Sequence, residues 1–302
     1  MLQDLVVGLV AGGIYGLLAL GIVLVYKGSR VLNFAQGEIG TAALFVAWFV
    51  VTERHLPWIV GALCAVAAAI GLGLAFERVV VRPMRGASRL SVAVATVGLL
   101  TLLLGIEEYF AGPNPRILAA PVGGLGLKVL GVYVGPSSLI ALAAIMVMGL
   151  ALAAFLRYTD FGLGVQAAAQ DPDAAQLVGI PLGRVSAFTW ATAAAIAAVA
   201  ALLIEPTIGL FTPGYVTELF VRALAAALVG GLTSLPGAFV GGIVVGLVEA
   251  EGVWLLHSSS LAISTGTNTI PGVDTLAVFV IILAVLLLRP QGLFGTARAR
   301  VG

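Results

Sequence analysis

The sequence predicts an all-α, polytopic membrane protein with about eight to ten transmembrane helices. Hydrophobic residues make up 61% of its 302 residues, and charged residues make up only 10%. Apolar runs of about 18 residues or more recur along the chain, and a run of that length crosses about 30 Å of hydrocarbon. The alternation of apolar and polar residues that is typical of a membrane β-barrel is absent. We therefore expect a single transmembrane domain, residues 1–302, built from helices.

Nine apolar segments are interpreted as spans. The first lacks the basic residues of a cleaved signal peptide, so we expect it to be retained. The seventh is short and is followed by a break at residues 233–236, so a complete span and a re-entrant segment both remain open there. The segments cover residues 5–26, 34–52, 57–77, 91–111, 136–156, 185–204, 219–233, 236–256 and 272–288.

Basic residues predict the orientation, because short cytoplasmic loops are enriched in Lys and Arg. An external N-terminus places 11 of the 15 basic residues inside and leaves mostly acidic residues outside. With an odd number of spans, the C-terminus is then internal. The inner basic residues are Lys27, Arg30, Arg78, Arg82, Arg85, Arg89, Arg157, Arg184, Arg289, Arg298 and Arg300, and the outer acidic residues are Asp4, Glu53, Glu107, Glu108, Glu205, Glu218 and Asp274.

The longest external loop covers residues 112–135. Its Gly and Pro residues mark turns, and its run 127–134 predicts a small β-hairpin. We expect the loop to be either a lid over a helix end or part of the face that receives a substrate-delivering protein.

The internal loop at residues 157–184 is a long polar stretch in an otherwise apolar chain, and it predicts a docking surface for a partner. Within it, Asp171 is suited to cap a helix and Pro172 to occupy the first helical position. Asp173 adds negative charge near the positive end of the helix dipole. Gly179 then ends the helix, which is about two turns long.

Such a short helix is unstable alone in water and requires packing. Ala175 lies within it, and we expect the apolar residues Leu177, Val178 and Ile180 to be exposed. The groove of a partner protein would cover them. An amphipathic segment lying on the bilayer surface remains the alternative.

Glycines at four-residue spacing predict close helix contacts in two spans. Gly8, Gly12 and Gly16 fall on one face of the first span, and Gly237 and Gly241 repeat the spacing in the eighth. Small residues let helix backbones approach closely in lipid. Both packing within the chain and homodimerisation are consistent with this pattern.

Several functions are not expected from the sequence. The net charge of +1 gives no reason to expect nucleic-acid binding. Neither Lys27 nor Lys128 is followed by the Ser or Thr of a phosphate-binding P-loop. His55 and His257 are isolated and no nucleophile elbow occurs, so we expect no metal site and no catalytic residues. The single cysteine, Cys64, can form no intramolecular disulfide.

Four segments carry a resemblance to a known family. They are NFAQGE at 33–38, AAAQDPDAAQLVGI at 167–180, GGLTSLPGAFVGG at 230–242 and LLLRPQGLFG at 286–295. In this order they closely resemble the permease subunits of branched-chain amino acid ABC importers, and in particular the first-type permease. The resemblance extends from about residue 5 to about residue 295 and implies the ABC importer permease fold.

The resemblance implies a transport complex in a bacterial inner membrane, with the N-terminus in the periplasm and the C-terminus in the cytoplasm. The expected partners are a second homologous permease, two cytoplasmic ATPase subunits that use ATP and Mg, and a periplasmic substrate-binding protein. Pairing of two copies of this chain remains open, and no cofactor is expected in the chain itself.

The cargo that the resemblance implies is a branched-chain or other aliphatic amino acid. Urea, short amides or another small solute are alternatives within the same class of importer. A secondary transporter or channel that needs no ATPase is an alternative from another class, although the spans lack the matched charged pairs that ion coupling would favour.

Site residues follow partly from the resemblance and partly from polarity. The family's ATPase-contacting loop corresponds to residues 171–179, and Gln36 stands where the family commonly has a His that can titrate. The polar residues Asn33, Gln36, Glu38 and Thr96 predict a substrate path. Glu38 is expected near the cytoplasmic end of its span, either as an interfacial or capping carboxylate or as a residue of the path.

Overall fold

The computed structural model describes residues 2–112, 114–119, 121, 126–129, 132–258, 279–280, 287–289 and 292–295. The predicted ninth span lies mostly outside these ranges, as do Asp274, Arg298 and Arg300. The α-helices are α1 (Leu2–Ser29), α2 (Gln36–Trp48), α3 (Trp58–Phe76), α4 (Arg89–Ala111), α5 (Pro136–Tyr158), α6 (Asp160–Gln170), α7 (Pro172–Leu177), α8 (Leu182–Ile208), α9 (Tyr215–Gly230) and α10 (Leu235–Ser258).

Each of the first eight predicted spans falls mainly on a helix, because a backbone in lipid must satisfy its own hydrogen bonds. Five helices, α1, α3, α4, α5 and α8, are long and apolar enough to cross a membrane, which confirms a multi-pass membrane protein. The π-helical turns Phe49–Glu53 and Glu77–Val81 extend α2 and α3. The predicted hairpin is present as β1 (Leu127–Val129), paired antiparallel with β2 (Val132–Val134).

The predicted break between the seventh and eighth spans separates α9 from α10. α9 has 16 residues, which at 1.5 Å per residue gives a length of about 24 Å. It ends at Gly230, where the next residue, Gly231, adopts a φ of 99° that glycine tolerates readily. α10 then begins at Leu235. α9 is therefore shorter than the roughly 30 Å hydrocarbon layer.

The N-terminal helix α1 lies at the centre of the bundle. Its apolar segment is 78% buried, compared with 28% for α3 and for α4 and 22% for α5. α1 contacts α8, α9 and α10, whereas α3, α4 and α5 present most of their apolar surface outward. A helix that is apolar all round is stable when other helices surround it, and α1 is in that position.

Glycines allow α1 and α10 to approach each other at backbone distance. A Cβ atom added to Gly12 would lie 2.8 Å from the carbonyl oxygen of Gly242, and one added to Gly8 would lie 2.9 Å from that of Gly246. Gly16 faces α10 in the same way. The glycine face of α1 is thus covered by a helix of the same chain.

A second row of glycines on α10 faces α9 instead. A Cβ atom added to Gly241 would lie 2.9 Å from the backbone nitrogen of Gly230, and Gly237 also meets the Gly230 backbone. Two adjacent rows at four-residue spacing therefore join α10 to α1 and to α9. These glycines serve packing within the chain.

Loops that are predicted on the same side of the membrane lie at the same end of the bundle. At one end, Arg30 donates hydrogen bonds to the end of α6, and Arg82 Nη2 lies 3.5 Å from the carbonyl oxygen of Gly183. At the other end, Arg116 and Phe211 exchange backbone hydrogen bonds of 2.8 and 2.9 Å. The grouping of the loops agrees with the prediction.

Candidate functional site

The predicted short helix is present as α7, with the cap and the stop that its sequence specifies. Oδ1 of Asp171 accepts hydrogen bonds of 3.0 Å from the backbone N–H groups of Asp173 and Ala174. Pro172 is the first helical residue. Gly179 has a φ of 88°, a left-handed conformation that ends the helix at low steric cost. Local chemistry therefore determines both ends of α7.

α7 buries one face and exposes the other. Ala175 is buried against the bundle, whereas the Leu177 side chain is 89% exposed and that of Val178 is 77% exposed. Ile180 was also expected to be exposed, and this prediction is wrong. Its side chain is partly buried against the core, because the chain turns back toward α8 after Gly179.

The amphipathic helix α6, which precedes α7, was not predicted from the sequence. The Thr159 side chain caps α6 by accepting a hydrogen bond of 3.0 Å from the backbone N–H of Gly162. The signal for this helix was present in the pair Thr159-Asp160, a cap followed by an acidic first residue. α6 brings the start of α7 to the loop that follows α1.

Arg30 connects that loop to the base of α7. Its guanidinium donates hydrogen bonds to the carbonyl oxygens of Ala169 and Gln170, the last of these at 3.3 Å. Both acceptors belong to the final turn of α6, immediately before Asp171. Arg30 itself has a φ of 58°, which is uncommon for a residue with a side chain. Its side chain therefore ties the α1–α2 connection to the segment that carries α7.

Three of the four predicted path residues meet in the interior, in what we call the polar centre: Asn33, Gln36 and Thr96. The Asn33 amide donates to Gln36 Oε1 at 3.1 Å, and Gln36 Nε2 donates to the carbonyl oxygen of Ala193 in α8 at 2.8 Å. Thr96 Oγ1 accepts a hydrogen bond of 3.1 Å from the backbone N–H of Phe34. All three side chains are buried, and they link α2, α4 and α8.

Glu38 does not lie at the cytoplasmic end of a span, as was expected; it is fully buried. The non-helical segment 30–35 carries the chain into the bundle before α2 begins at Gln36, so the first turn of α2 is already internal. There the Thr217 hydroxyl donates to Glu38 Oε2, and Thr41 Oγ1 accepts a hydrogen bond of 3.1 Å from the backbone N–H of Val216. α2 thus meets the start of α9.

Two acidic residues that were expected on the external face are buried. Glu107 of α4 is only 6% exposed and faces Glu38, whereas its neighbour Glu108 is exposed as predicted. Glu205 is fully buried and accepts a hydrogen bond of 3.0 Å from the backbone N–H of Leu118. The sequence signal for Glu107 was its place within an apolar run, where an ionisable residue usually faces the bundle interior.

Comparisons with known proteins find similar sequences among transport permeases. Residues 5–289 match a family model described as the permease component of branched-chain amino acid transport systems. The chain is 30% identical to the high-affinity branched-chain amino acid transport system permease protein LivH of Escherichia coli, over 97% of this chain and 95% of that protein. It is 29% identical to a protein of the same description from Salmonella typhimurium, with the same coverage.

A third relative covers the chain almost as completely. A probable branched-chain amino acid transport permease protein LivH of Methanocaldococcus jannaschii is 29% identical over 92% of this chain and 88% of that protein. Among solved structures, PsaBC from Streptococcus pneumoniae in complex with Fab covers 96% of this chain with 15% identity and a TM-score of 0.49. The family match extends over nearly the whole sequence, and the chain therefore belongs to the permease components of branched-chain amino acid transport systems.

Proposed function

We propose that this chain is the membrane-spanning permease of an ATP-driven importer that moves a branched-chain or other aliphatic amino acid across a bacterial inner membrane. Family membership supports the class of transporter and the relatives' names support the cargo. The observation that carries the coupling to ATP is α7, a capped helix whose apolar side chains are exposed at one end of the bundle.

The exposed face of α7 is the docking surface for an ATPase subunit. Burial of a Leu or Val side chain contributes about 1.5–3 kcal/mol, so a groove that covers Leu177 and Val178 gains several kcal/mol. Under the predicted orientation α7 lies in the cytoplasm, where ATP is available. The chain has no P-loop of its own, so two partner ATPases with Mg and ATP supply the energy.

Arg30 and the segment 30–35 form the route from this surface to the interior. A displacement of α7 moves the final turn of α6, to which the Arg30 side chain is bonded. The chain then enters the bundle and reaches the polar centre within a few residues of Arg30. Movement at the ATPase therefore shifts α2 relative to α4 and α8, and alternating access follows from two arrangements of these helices.

The rest of the complex follows from the family. A second, homologous permease completes the pathway, and a periplasmic binding protein delivers the cargo to the face that includes residues 112–135. Calorimetry of that binding protein with leucine, urea and short amides distinguishes the amino acid from the alternative cargoes. Leucine binding with no heat from urea is the expected result.

The coupling proposal is tested with the double variant Asp171→Arg and Leu177→Asp. Removing the cap and placing a carboxylate on the docking surface destabilises α7 and repels an apolar groove. In proteoliposomes with the ATPases and the binding protein, we expect amino acid uptake to fall at least tenfold. The ATPase subunits should also fail to co-purify with the variant.

A matched control makes the same two exchanges on α6. Asp160→Arg with Leu163→Asp alters an exposed acid and an exposed leucine in the same loop and leaves the Thr159 cap in place. This variant should retain most of the uptake. Full uptake and normal ATPase co-purification in the α7 variant would contradict the proposal.

A further inference from the structure

Glu38 and Glu107 form a buried carboxyl pair between α2, α4 and α9. Thr217 donates to one oxygen of Glu38. The other oxygen of Glu38 and both oxygens of Glu107 have no hydrogen-bond partner among the residues that the structure describes. The Glu38 carboxyl and the Gly214 amide face Glu107, but neither makes a hydrogen bond of normal geometry with it. Three buried acceptor atoms therefore lie on two carboxyl groups that face each other.

Such an arrangement is costly when both carboxyls are charged and neither a cation nor a shared proton lies between them. A buried carboxylate without a partner loses its hydration, and two like charges at close range repel each other strongly at low dielectric. The basic side chains nearest to the pair in sequence bond elsewhere: Arg30 donates to the carbonyl oxygen of Gln170, and Arg116 Nη2 donates to that of Ala111 at 2.7 Å. Arg222, five residues after Thr217, pairs with Glu249 at 2.9 Å. Within the described part of the chain, no cluster suited to a metal ion is found.

The number and surroundings of the free oxygens fit a primary ammonium group. An ammonium group carries three N–H donors and no acceptor, which matches three acceptor oxygens. Apolar side chains lie on the same elements as the pair. A Cβ atom on Gly214 would lie 3.3 Å from Cδ1 of Leu104, three residues before Glu107. The ring centroids of Phe34, four residues before Glu38, and Phe220, three residues after Thr217, are 6.0 Å apart. A charged end and an aliphatic end of one molecule thus both find suitable surroundings.

We propose that Glu38, Glu107 and Thr217 bind the primary ammonium group of the amino acid as it passes through the permease. The identity of the cargo rests on the proposed function, whereas the preference for an ammonium group rests on the three free oxygens. A proton shared by the two carboxyls is the competing occupant, and it would engage two of the three oxygens and leave the third without a donor.

The first test compares Glu38→Gln and Glu107→Gln with Glu108→Gln, an exposed neighbour on the same helix. Glutamine keeps the size of the side chain and removes the charge that attracts an ammonium group. In the assembled transporter, each pair variant should reduce amino acid uptake at least tenfold while ATP hydrolysis stimulated by the binding protein changes less than twofold. Glu108→Gln should change neither quantity.

Wild-type uptake in both pair variants would overturn the proposal, because the neutral amide imitates a protonated acid and a shared proton would then suffice. A second readout covers the case in which these variants fail to assemble. Methylammonium, which has three N–H donors, should raise the melting temperature of the unmodified complex more than tetramethylammonium, which has none, at equal ionic strength. Equal shifts from the two cations would overturn the proposal.

The second readout also separates this inference from the proposed function. If the complex imports no amino acid but still distinguishes methylammonium from tetramethylammonium, the cargo assignment fails and the ammonium site stands. If amino acid uptake depends on ATP but neither the pair variants nor the two cations show a difference, the site fails and the proposed function stands.

Discussion

α7 and the carboxyl pair are the two chemically distinctive regions of this permease, and they differ in how their structure is determined. α7 is held by contacts between residues two to four positions apart, such as the Asp171 cap, and its apolar residues are exposed. The carboxyl pair joins residues that are 69 positions apart in sequence, and its polar atoms are buried. We therefore propose that a partner protein covers the apolar surface of α7, and that a cationic ligand binds between the carboxyls of the pair.

The two regions are connected by a short stretch of chain. Arg30 bonds to the turn before α7, and Asn33, Gln36 and Glu38 follow within eight residues of it. Under the proposed function, one end of this stretch responds to the ATPase at the surface, and the other to the cargo in the interior. This arrangement is what a coupling element between two sites requires.

The largest effect is expected from disrupting the packing of α1 against α10, which supports both regions. Gly242→Leu places a side chain where a Cβ atom alone already overlaps the backbone of Gly16, so α1 and α10 must separate. We expect the folded protein in membranes to fall at least tenfold, measured by size-exclusion chromatography of detergent extracts. Gly98→Leu is the matched control, because nothing lies within 4 Å of a Cβ atom there.

Equal yields of folded Gly242→Leu and Gly98→Leu would show that folding does not require the α1–α10 contact. Neither α7 nor the carboxyl pair would then depend on that contact.

A smaller and more selective effect is expected from Arg30→Ala. This change removes the hydrogen bonds to the final turn of α6 and leaves the exposed face of α7 unaltered. The ATPase subunits should still bind, but the number of amino acids imported per ATP hydrolysed should fall about three- to tenfold. Parallel measurement of uptake and phosphate release in proteoliposomes gives this ratio.

Arg78→Ala is the control for Arg30→Ala, since Arg78 is an exposed arginine predicted on the same side of the membrane. An unchanged ratio of uptake to ATP hydrolysis in Arg30→Ala would show that Arg30 does not connect the two regions. A loss of ATPase binding would instead place Arg30 in the docking surface itself.

Features that depend on local sequence were predicted well. The apolar runs gave the positions of α1 to α5 and α8 to α10, and the residues flanking α7 gave its cap and its end. The hairpin of β1 and β2 also followed from turn residues and alternation. In each case a dozen or so neighbouring residues contain the whole physical cause, so a single sequence is sufficient.

Features that depend on packing were predicted only in part or not at all. The burial of Glu38 and Glu107 requires knowing that segment 30–35 enters the bundle and that α9 begins opposite α2. Ile180 was misplaced because the turn after Gly179 directs it back to the core. The glycine rows predicted close contacts but not which helices would meet, since their spacing carries no information on the partner.

The central claim is that α7 faces the cytoplasm and is covered by an ATPase. It is tested most directly by labelling Leu177→Cys with a membrane-impermeant maleimide in a chain whose native Cys64 is replaced by Ala. Ile117→Cys, in the predicted external loop, is the control for the opposite side. We expect Leu177→Cys to react only in inverted vesicles and to be protected when the ATPase subunits are bound. Reaction only in right-side-out vesicles, or the same reaction rate with and without the ATPase, would contradict it.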